Sequence, residues 1–271
     1  MKGGLAVHSS SSLRLPITSL PLLAALLVAW PGLAHAAAPA AKPSLPRVAV
    51  LRLQEDLARL GYLPVGWDGH AFTFPQRATP QSLVTLFRPG VTTPLVQGAL
   101  MSFEADHALP LSSSPTAADW TALRRALAAG DRALHPFTYA YVSKRLPERI
   151  YIWSTAGVLT QAPVNTGLPG AATPDGSYPV YLRLSFQVMK GTNLAGGYYA
   201  DPVHWISYFH GGDAVHGFVR PTYGHPQSLG CVEVPSVVAE RIFDDLQIGS
   251  VVTVSDVPFD LTSPPVLLSL H

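Results

Sequence analysis

Apolar residues recur every three or four positions in three stretches of the N-terminal half, and each stretch carries helix boundary signals. The first stretch ends at Gly61, where a left-handed helix cap is typical. The second begins at Thr93-Pro94, an N-cap followed by a first-turn proline. The third begins at Thr116, whose spacing to Asp119 resembles a capping box. The apolar positions are Val50, Leu53, Leu57 and Leu60, then Val96, Ala99, Leu100 and Phe103, then Trp120, Leu123 and Leu127. Residues 47–130 are therefore predicted to form a small three-helix domain.

From Phe137 onward the helical spacing gives way to the two-residue alternation of β-strands. Glycine, proline, asparagine and aspartate separate the strand-like runs, which cover 137–141, 150–153, 159–164, 180–184, 203–209 and 251–254. Within this half only 235–246 has helical spacing, and it begins with proline. The pattern predicts a mainly β domain over residues 137–255. Two segments show neither period, so 62–92 is expected to be a long loop and 256–271 an irregular tail.

The N-terminus has the organisation of an export signal. Lys2 and Arg14 precede an apolar run over 20–30, and Ala34-His35-Ala36 supplies the small residues that a signal peptidase needs. The run is about half of the ~20 residues that a membrane-spanning helix requires. We expect a cleaved signal peptide over 1–36, an Ala/Pro-rich linker over 37–46, no membrane span, and a location in the periplasm or extracellular cell envelope.

Composition excludes several functional classes. The chain has 18 Lys+Arg against 17 Asp+Glu, a net charge of +1, and no block of like charges, so nucleic acid is not an expected partner. A single cysteine forms neither an intramolecular disulfide nor a multi-cysteine zinc site. The spacing of His204, His210 and His225 is not one that metals select, and no metal is expected.

The lone cysteine is the main candidate for chemistry. Cys231 follows Gly230, and His216-Gly217 lies 15 positions upstream. A thiol becomes a useful nucleophile when an imidazole accepts its proton, and backbone N–H groups beside a glycine can point at a developing oxyanion. The alternative interpretation is a buried, inert cysteine. The spacing alone does not choose between them.

Three motifs resemble those of a known enzyme family. His216-Gly217, Ser228-Leu229-Gly230-Cys231 and Thr173-Pro174-Asp175-Gly176 are similar to motifs in the catalytic domain of the L,D-transpeptidases, the cysteine enzymes that cross-link bacterial peptidoglycan. The resemblance covers about residues 137–255 and implies a β-sandwich-like fold. Residues 47–130 more loosely resemble a peptidoglycan-binding module of three helices.

The resemblance also implies roles for individual residues. Cys231 would be the nucleophile and His216 the general base, with the N–H groups of Gly230 and Cys231 as oxyanion donors. Candidate substrate-binding residues are Ser228, which would also hold the loop, Tyr208, which lines the groove or fills the core, and Arg220. Asp213 either orients His216 or is a surface residue. The implied partners are peptidoglycan stem peptides, no cofactor is needed, and carbapenems are expected to acylate the thiol.

Two positions depart from the family pattern. Many members have histidine where Leu229 stands and arginine or asparagine where Glu233 stands. A carboxylate two residues from the nucleophile would disfavour the thiolate, and Arg220 is a candidate for the missing positive charge. The departure keeps open a wall-binding protein whose transpeptidase-like domain is idle. A third possibility is an L,D-carboxypeptidase, in which water takes the acyl group.

Overall fold

The computed structural model describes residues 45–74, 78–262 and 267–269, with only the backbone described for the last three. The predicted signal peptide and residues 37–44 of the predicted linker lie outside these ranges. Among the described residues, no helix combines the length and the apolar character needed to cross a bilayer.

The three helices expected in the N-terminal half are present. Gly61 caps the first with a φ of 88°, and Thr116 forms the capping box of the third, in which its N–H donates to the Asp119 carboxylate at 2.6 Å. A short additional helix lies between them. The helices are α1 (Arg47–Leu60), α2 (Gln81–Leu86), α3 (Pro94–Asp106) and α4 (Ala117–Ala129).

The expectations of a long loop over 62–92 and an irregular tail over 256–271 are wrong. Besides α2, the first segment contains β1 (Gly66–Trp67), β2 (Ala71–Thr73) and β3 (Thr79–Pro80), and the tail contains β13 (Leu261–Thr262) and β14 (Leu267–Ser269). β14 pairs with β2, and β13 pairs with β3. Strands of two or three residues are too short to display an alternating pattern, and their partners lie far away in the sequence.

The remaining strands form two sheets, which confirms the mainly β prediction. The five-stranded sheet has the order β6-β5-β4-β12-β7, with β4 (Thr138–Ser143), β5 (Arg149–Ser154), β6 (Gly157–Pro163), β7 (Gly176–Pro179) and β12 (Val251–Ser255). The four-stranded sheet has the order β11-β10-β9-β8, with β8 (Leu182–Thr192), β9 (Tyr198–His210), β10 (Asp213–Gly217) and β11 (Val232–Val234). Helix α5 (Ser236–Asp245) follows β11. Both sheets and α5 contribute to one apolar core, for example through Ile152, Val215 and Ile242.

The central strand β4 is buried along its whole length. Its residues alternate between two cores: Tyr139 and Tyr141 pack in the cluster that contains the apolar residues of α1, α3 and α4, whereas Ala140 and Val142 pack in the core shared by the two sheets. Residues Ser44–His271 accordingly form one compact unit. The boundary predicted between 130 and 137 separates two sequence patterns. It does not separate the cores, because the core around α1, α3 and α4 also contains Tyr139 and Tyr141 of the sheet.

Helix α3 approaches the turn before β12 backbone to backbone. A Cβ built on Gly98 would lie 2.2 Å from the carbonyl oxygen of Gly249, and a Cβ on Gly249 would lie 2.1 Å from the carbonyl oxygen of Gly98. Ser102, one turn further along α3, donates to the Ile248 carbonyl at 2.8 Å. This contact fixes the helical part against the end of the sheet.

Replacing Gly98 by alanine should therefore destabilise the protein. Overpacking against backbone costs about 1–3 kcal/mol, which outweighs the gain of about 1 kcal/mol that alanine gives over glycine inside a helix. Urea unfolding of Gly98→Ala measures the change. Gly66→Ala is the control, because its Cβ would meet its nearest atom at 3.9 Å. Equal stability of Gly98→Ala and wild type would contradict the close backbone approach.

Candidate active site

Two neighbouring strands bring the predicted nucleophile and base to one cavity. β10 and β11 run parallel, with His216 opposite Glu233, and Cys231 immediately precedes β11. Cys231 and His216 both line a cavity of about 630 Å³, which the hairpin of β8 and β9 borders on another side. Because β11 pairs in parallel with β10, Cys231 and His216 line the same cavity although they are 15 positions apart in the sequence.

The Cys231 thiol is partly exposed and sits among groups that disfavour its charge. Burial is the main cause that raises the pKa of Cys231 to about 12, and the carboxylates of Asp213 and Glu233 act in the same direction. The N–H of Ala214 opposes them by donating to the sulfur. The thiol lies 3.9 Å from the carbonyl oxygen of Gly212. Burial and the two carboxylates therefore favour the neutral thiol, so Cys231 would need a base to act as a nucleophile.

His216 is buried and is held in one tautomer. Its Nδ1 lies 3.2 Å from the carbonyl oxygen of Gly217. Since a carbonyl only accepts, Nδ1 carries the hydrogen and Nε2 carries the lone pair of a base. Burial lowers the pKa of His216, the Gly217 carbonyl and Glu233 raise it, and Arg220 lowers it. The neutral imidazole is thus the resting form that can accept the thiol proton.

Ser228 organises the turn that presents the cysteine. Its hydroxyl donates to the Cys231 carbonyl at 2.5 Å and accepts the Gly230 N–H at 3.2 Å. Ser228 is only 2% exposed and its hydroxyl is used within the turn, while substrate binding by Ser228, which lines the cavity, stays a prediction. The Gly230 N–H is engaged within the turn. Of the two oxyanion donors expected from sequence, this leaves the Cys231 N–H as the candidate.

The position of Gly230 requires glycine. Its φ is 121°, in the region that side chains rarely adopt, and a Cβ there would lie 2.3 Å from Oδ1 of Asp213. Asp213 was expected either to orient His216 or to be a surface residue. Its carboxylate lies 3.2 Å from Nδ1 of His210. The carbonyl of Gly217, and not Asp213, therefore orients His216.

Thr173 is a site-supporting residue that the sequence analysis did not single out. Its hydroxyl donates to the Gly230 carbonyl at 2.8 Å and accepts the Gly167 N–H at 2.9 Å, and the residue is 1% exposed. The available signal was its place at the start of the Thr173-Pro174-Asp175-Gly176 motif. Thr173 fixes the cysteine turn from the opposite side to Ser228.

Tyr208 has both of the roles left open by the sequence. Its ring packs with Val203, Ile206 and Ala214 in a small core cluster, and it also lines the cavity. Its hydroxyl donates to Oε1 of Gln187 on the hairpin at 2.7 Å. Leu229 lies at the cavity and is 38% exposed. An apolar side chain therefore lines the cavity at the position where many family members have histidine.

Glu233 is paired with Arg220. The guanidinium Nε and Nη2 donate to the two carboxylate oxygens at 2.8 and 2.7 Å, which is the bidentate geometry of strong arginine–carboxylate pairs. The Glu233 side chain is 6% exposed and the Arg220 side chain 30% exposed. Glu233 raises the pKa of Arg220. Arg220, which the sequence suggested as the missing positive charge, is therefore paired with Glu233. Substrate binding by Arg220 stays a prediction.

Within 45–74 and 78–262, no group of three or more histidine, cysteine, aspartate or glutamate side chains has the arrangement of a metal site.

Comparison with known proteins gives one family match. Residues 138–254 match the YkuD family model, the L,D-transpeptidase catalytic domain. This region contains Cys231, His216, Thr173 and the Arg220–Glu233 pair. No curated protein matches the chain.

Several solved structures are similar to the chain. An L,D-transpeptidase from Mycobacterium smegmatis is 21% identical over 44% of this chain and 59% of its own, with a TM-score of 0.40. The catalytic domain of an Enterococcus faecium L,D-transpeptidase is 25% identical over 45% of this chain and 99% of its own, also with a TM-score of 0.40. L,D-transpeptidase 3 from Mycobacterium tuberculosis is 20% identical over 44% and 61%, with a TM-score of 0.41. The match spans about three fifths of the two mycobacterial chains.

Removing the Thr173 hydroxyl should weaken both the fold and the site. Thr173→Val keeps the shape but leaves a buried carbonyl and a buried N–H without this partner, which costs about 1–3 kcal/mol. We expect lower stability in urea and slower acylation of Cys231. Thr121→Val is the control, since the hydroxyl of Thr121 lies on an exposed turn of α4. Equal losses of stability and of acylation rate in Thr173→Val and Thr121→Val would contradict a special role for the Thr173 hydrogen bonds.

The pH dependence of acylation should report His216. A base whose pKa is lowered from 6.5 stays neutral at more acidic pH, so activity should fall only as the pH drops below about 6.5. Carbapenem acylation followed by intact mass across pH 4–9 measures this limb. His216→Gln should be slower by about 100-fold or more, whereas the exposed His70→Gln should behave as wild type. An acid limb centred above 6.5 would contradict a buried, neutral base.

Proposed function

We propose that this protein is an L,D-transpeptidase that cross-links or remodels peptidoglycan in the bacterial cell envelope. The observation that carries the proposal is the placement of a protonated thiol and a neutral, tautomerically fixed imidazole on one cavity, within the region that matches the catalytic-domain model. Burial favours the neutral form of both groups, which is the combination that general-base catalysis requires.

The first half-reaction forms an acyl-enzyme. Nε2 of His216 takes the proton of Cys231 as the sulfur attacks the carbonyl carbon between the third stem residue and the terminal D-alanine. A carbon–sulfur bond forms and the carbonyl oxygen becomes an oxyanion, which the Cys231 N–H stabilises. Collapse breaks the amide bond, and the imidazolium returns its proton to the leaving amine of D-alanine.

The second half-reaction transfers the acyl group. An amine of a second stem peptide attacks the thioester, His216 accepts its proton, and the thiol of Cys231 is restored. Water in place of the amine would give L,D-carboxypeptidase activity from the same intermediate. Neither half-reaction uses a metal or an organic cofactor.

The remaining parts of the proposal rest on sequence. The signal-like segment over 1–36 supports export to the periplasm or the extracellular envelope. The resemblance of 47–130 to a peptidoglycan-binding module supports wall binding by α1, α3 and α4. Because these helices share a core with Tyr139 and Trp153 of the sheet, wall binding should be tested by exposed substitutions on the helices and not by deletion.

Replacing the nucleophile tests the proposal directly. Cys231→Ala should abolish D-alanine release from a disaccharide tetrapeptide and should take up no carbapenem in intact-mass spectra, while wild type gains the mass of one carbapenem. Arg241→Gln, a charge change on the solvent side of α5, should retain both activities.

Two outcomes would contradict the proposal. D-alanine release that persists in Cys231→Ala would exclude this cysteine as the nucleophile. Wild type that neither takes up carbapenem nor releases D-alanine, but still sediments with peptidoglycan, would favour the wall-binding protein with an idle domain.

A further inference from the structure

We propose that Arg220 and Glu233 act as one neutral unit that positions His216 and balances the electrostatic field at Cys231, with Arg220 and Glu233 as positioning residues. The proposal rests on the proposed function only in treating Cys231 as the reacting group. It assigns a purpose to the carboxylate that departs from the family pattern.

The contacts form a continuous path from the carboxylate to the base. The fork of Arg220 grips both oxygens of Glu233 at 2.7 and 2.8 Å. The same guanidinium lies over the ring of Phe218, 4.7 Å from its centroid, as in a cation–π contact. Phe218 in turn meets His216 edge to face, with centroids 6.0 Å apart and planes at 84°. Glu233 therefore fixes Arg220, and Arg220 fixes the ring that packs against the imidazole.

The backbone at Arg220 and Glu233 is held by hydrogen bonds that do not involve the side chains of these two residues. Glu233 exchanges two backbone hydrogen bonds with Asn165, at 2.9 and 3.0 Å. The N–H of Arg220 donates to the hydroxyl of Tyr223 at 3.1 Å, and that hydroxyl donates to the carbonyl of Phe218 at 2.5 Å. Both partners thus sit on anchored segments, so loss of one partner leaves the other in place and unpaired.

The two charges act on the reacting groups in opposite directions. The Glu233 carboxylate disfavours a thiolate at Cys231 and favours a charged imidazole at His216. The Arg220 guanidinium disfavours the charged imidazole, and by its sign it favours the thiolate. Because the guanidinium grips both carboxylate oxygens, it offsets part of the Glu233 charge, and burial keeps the thiol and the imidazole neutral.

Other titratable groups face the thiol from neighbouring elements and stay constant in the test. His216 and Asp213 come from β10, and Tyr199 and Tyr208 come from β9, with Tyr181 just before β8. Lys190 and Asp201 line the same cavity from the hairpin. None of these groups is changed in the variants below.

A double-mutant cycle on cysteine alkylation tests the proposal. Because the chain has one cysteine, iodoacetamide uptake followed by mass reports the thiolate fraction of Cys231 alone. Glu233→Gln leaves the arginine uncompensated and should speed alkylation at pH 7 by about tenfold or more, and Arg220→Gln should slow it by a similar factor. The double variant should return to within about threefold of wild type. Arg241→Gln, which removes a charge outside the cavity, should match wild type.

A conservative variant separates charge from geometry. Arg220→Lys keeps the charge but not the bidentate fork, so it should alkylate like wild type while kcat for D-alanine release falls, since the Phe218 contact is loosened. If Arg220→Gln does not fold, Arg220→Lys and Glu233→Gln still decide the question. Single variants that change alkylation in the same direction, or a double variant that departs from the wild-type rate by more than about threefold, would overturn the proposal. Unchanged alkylation in every variant would also overturn it.

This experiment is independent of the transfer reaction. If the enzyme releases D-alanine but the variants lack the expected changes in alkylation rate, the ion-pair role is disproved and the proposed function is unaffected. If the variants show the expected changes in alkylation rate but the protein releases no D-alanine, the ion-pair role holds and the proposed function is disproved.

Discussion

The central strand β4 of the five-stranded sheet is buried on both faces, and this burial joins the helices to the two sheets. One face of β4 packs against α1, α3 and α4, and the other packs against the four-stranded sheet and α5. The candidate site lies on the second sheet, where Cys231 and His216 line the cavity beside β10 and β11.

Burial then sets the electrostatics of the candidate site. Desolvation is the largest influence on both Cys231 and His216, and it pushes each toward its uncharged form. The neighbouring carboxylates are each satisfied locally. Glu233 has Arg220, and Glu148, a buried carboxylate behind the site, accepts the N–H and the hydroxyl of Thr166, both at 2.7 Å. These bonds stabilise the segment that pairs with the Glu233 backbone, so the polar network also serves as a scaffold.

The parts of the fold and site that could be read from the sequence were those governed by local pattern or motif. Helix caps at Gly61 and Thr116 and strand alternation over 137–141 are local, and each is present. The placement of Cys231 and His216 on one cavity was expected from the motifs that resemble the family. The family resemblance, and not spacing, distinguished a site from an inert cysteine.

What the sequence missed has two causes, competition from close neighbours for polar groups and contacts between distant segments. The partner of Asp213 proved to be His210, and the Gly230 N–H proved to be used by Ser228, because close neighbours competed successfully for these groups. The short strands β13 and β14 form only where β2 and β3 offer an edge. Residue type alone identified Arg220 as a candidate charge, but only the fold shows that Glu233 is the group it meets.

The pairing of β3 with β13 has a consequence for how the chain reaches its native state. Thr262 donates to the Thr79 carbonyl across 183 positions of sequence, and β14 extends the same closure to β2. Contacts between such remote residues raise the contact order and slow folding. They also mean that the edges of β2 and β3 stay open until β13 and β14 have been synthesised. The short sheets beside the helices are therefore completed only after the two larger sheets, which lie between these paired segments in the sequence, have been made.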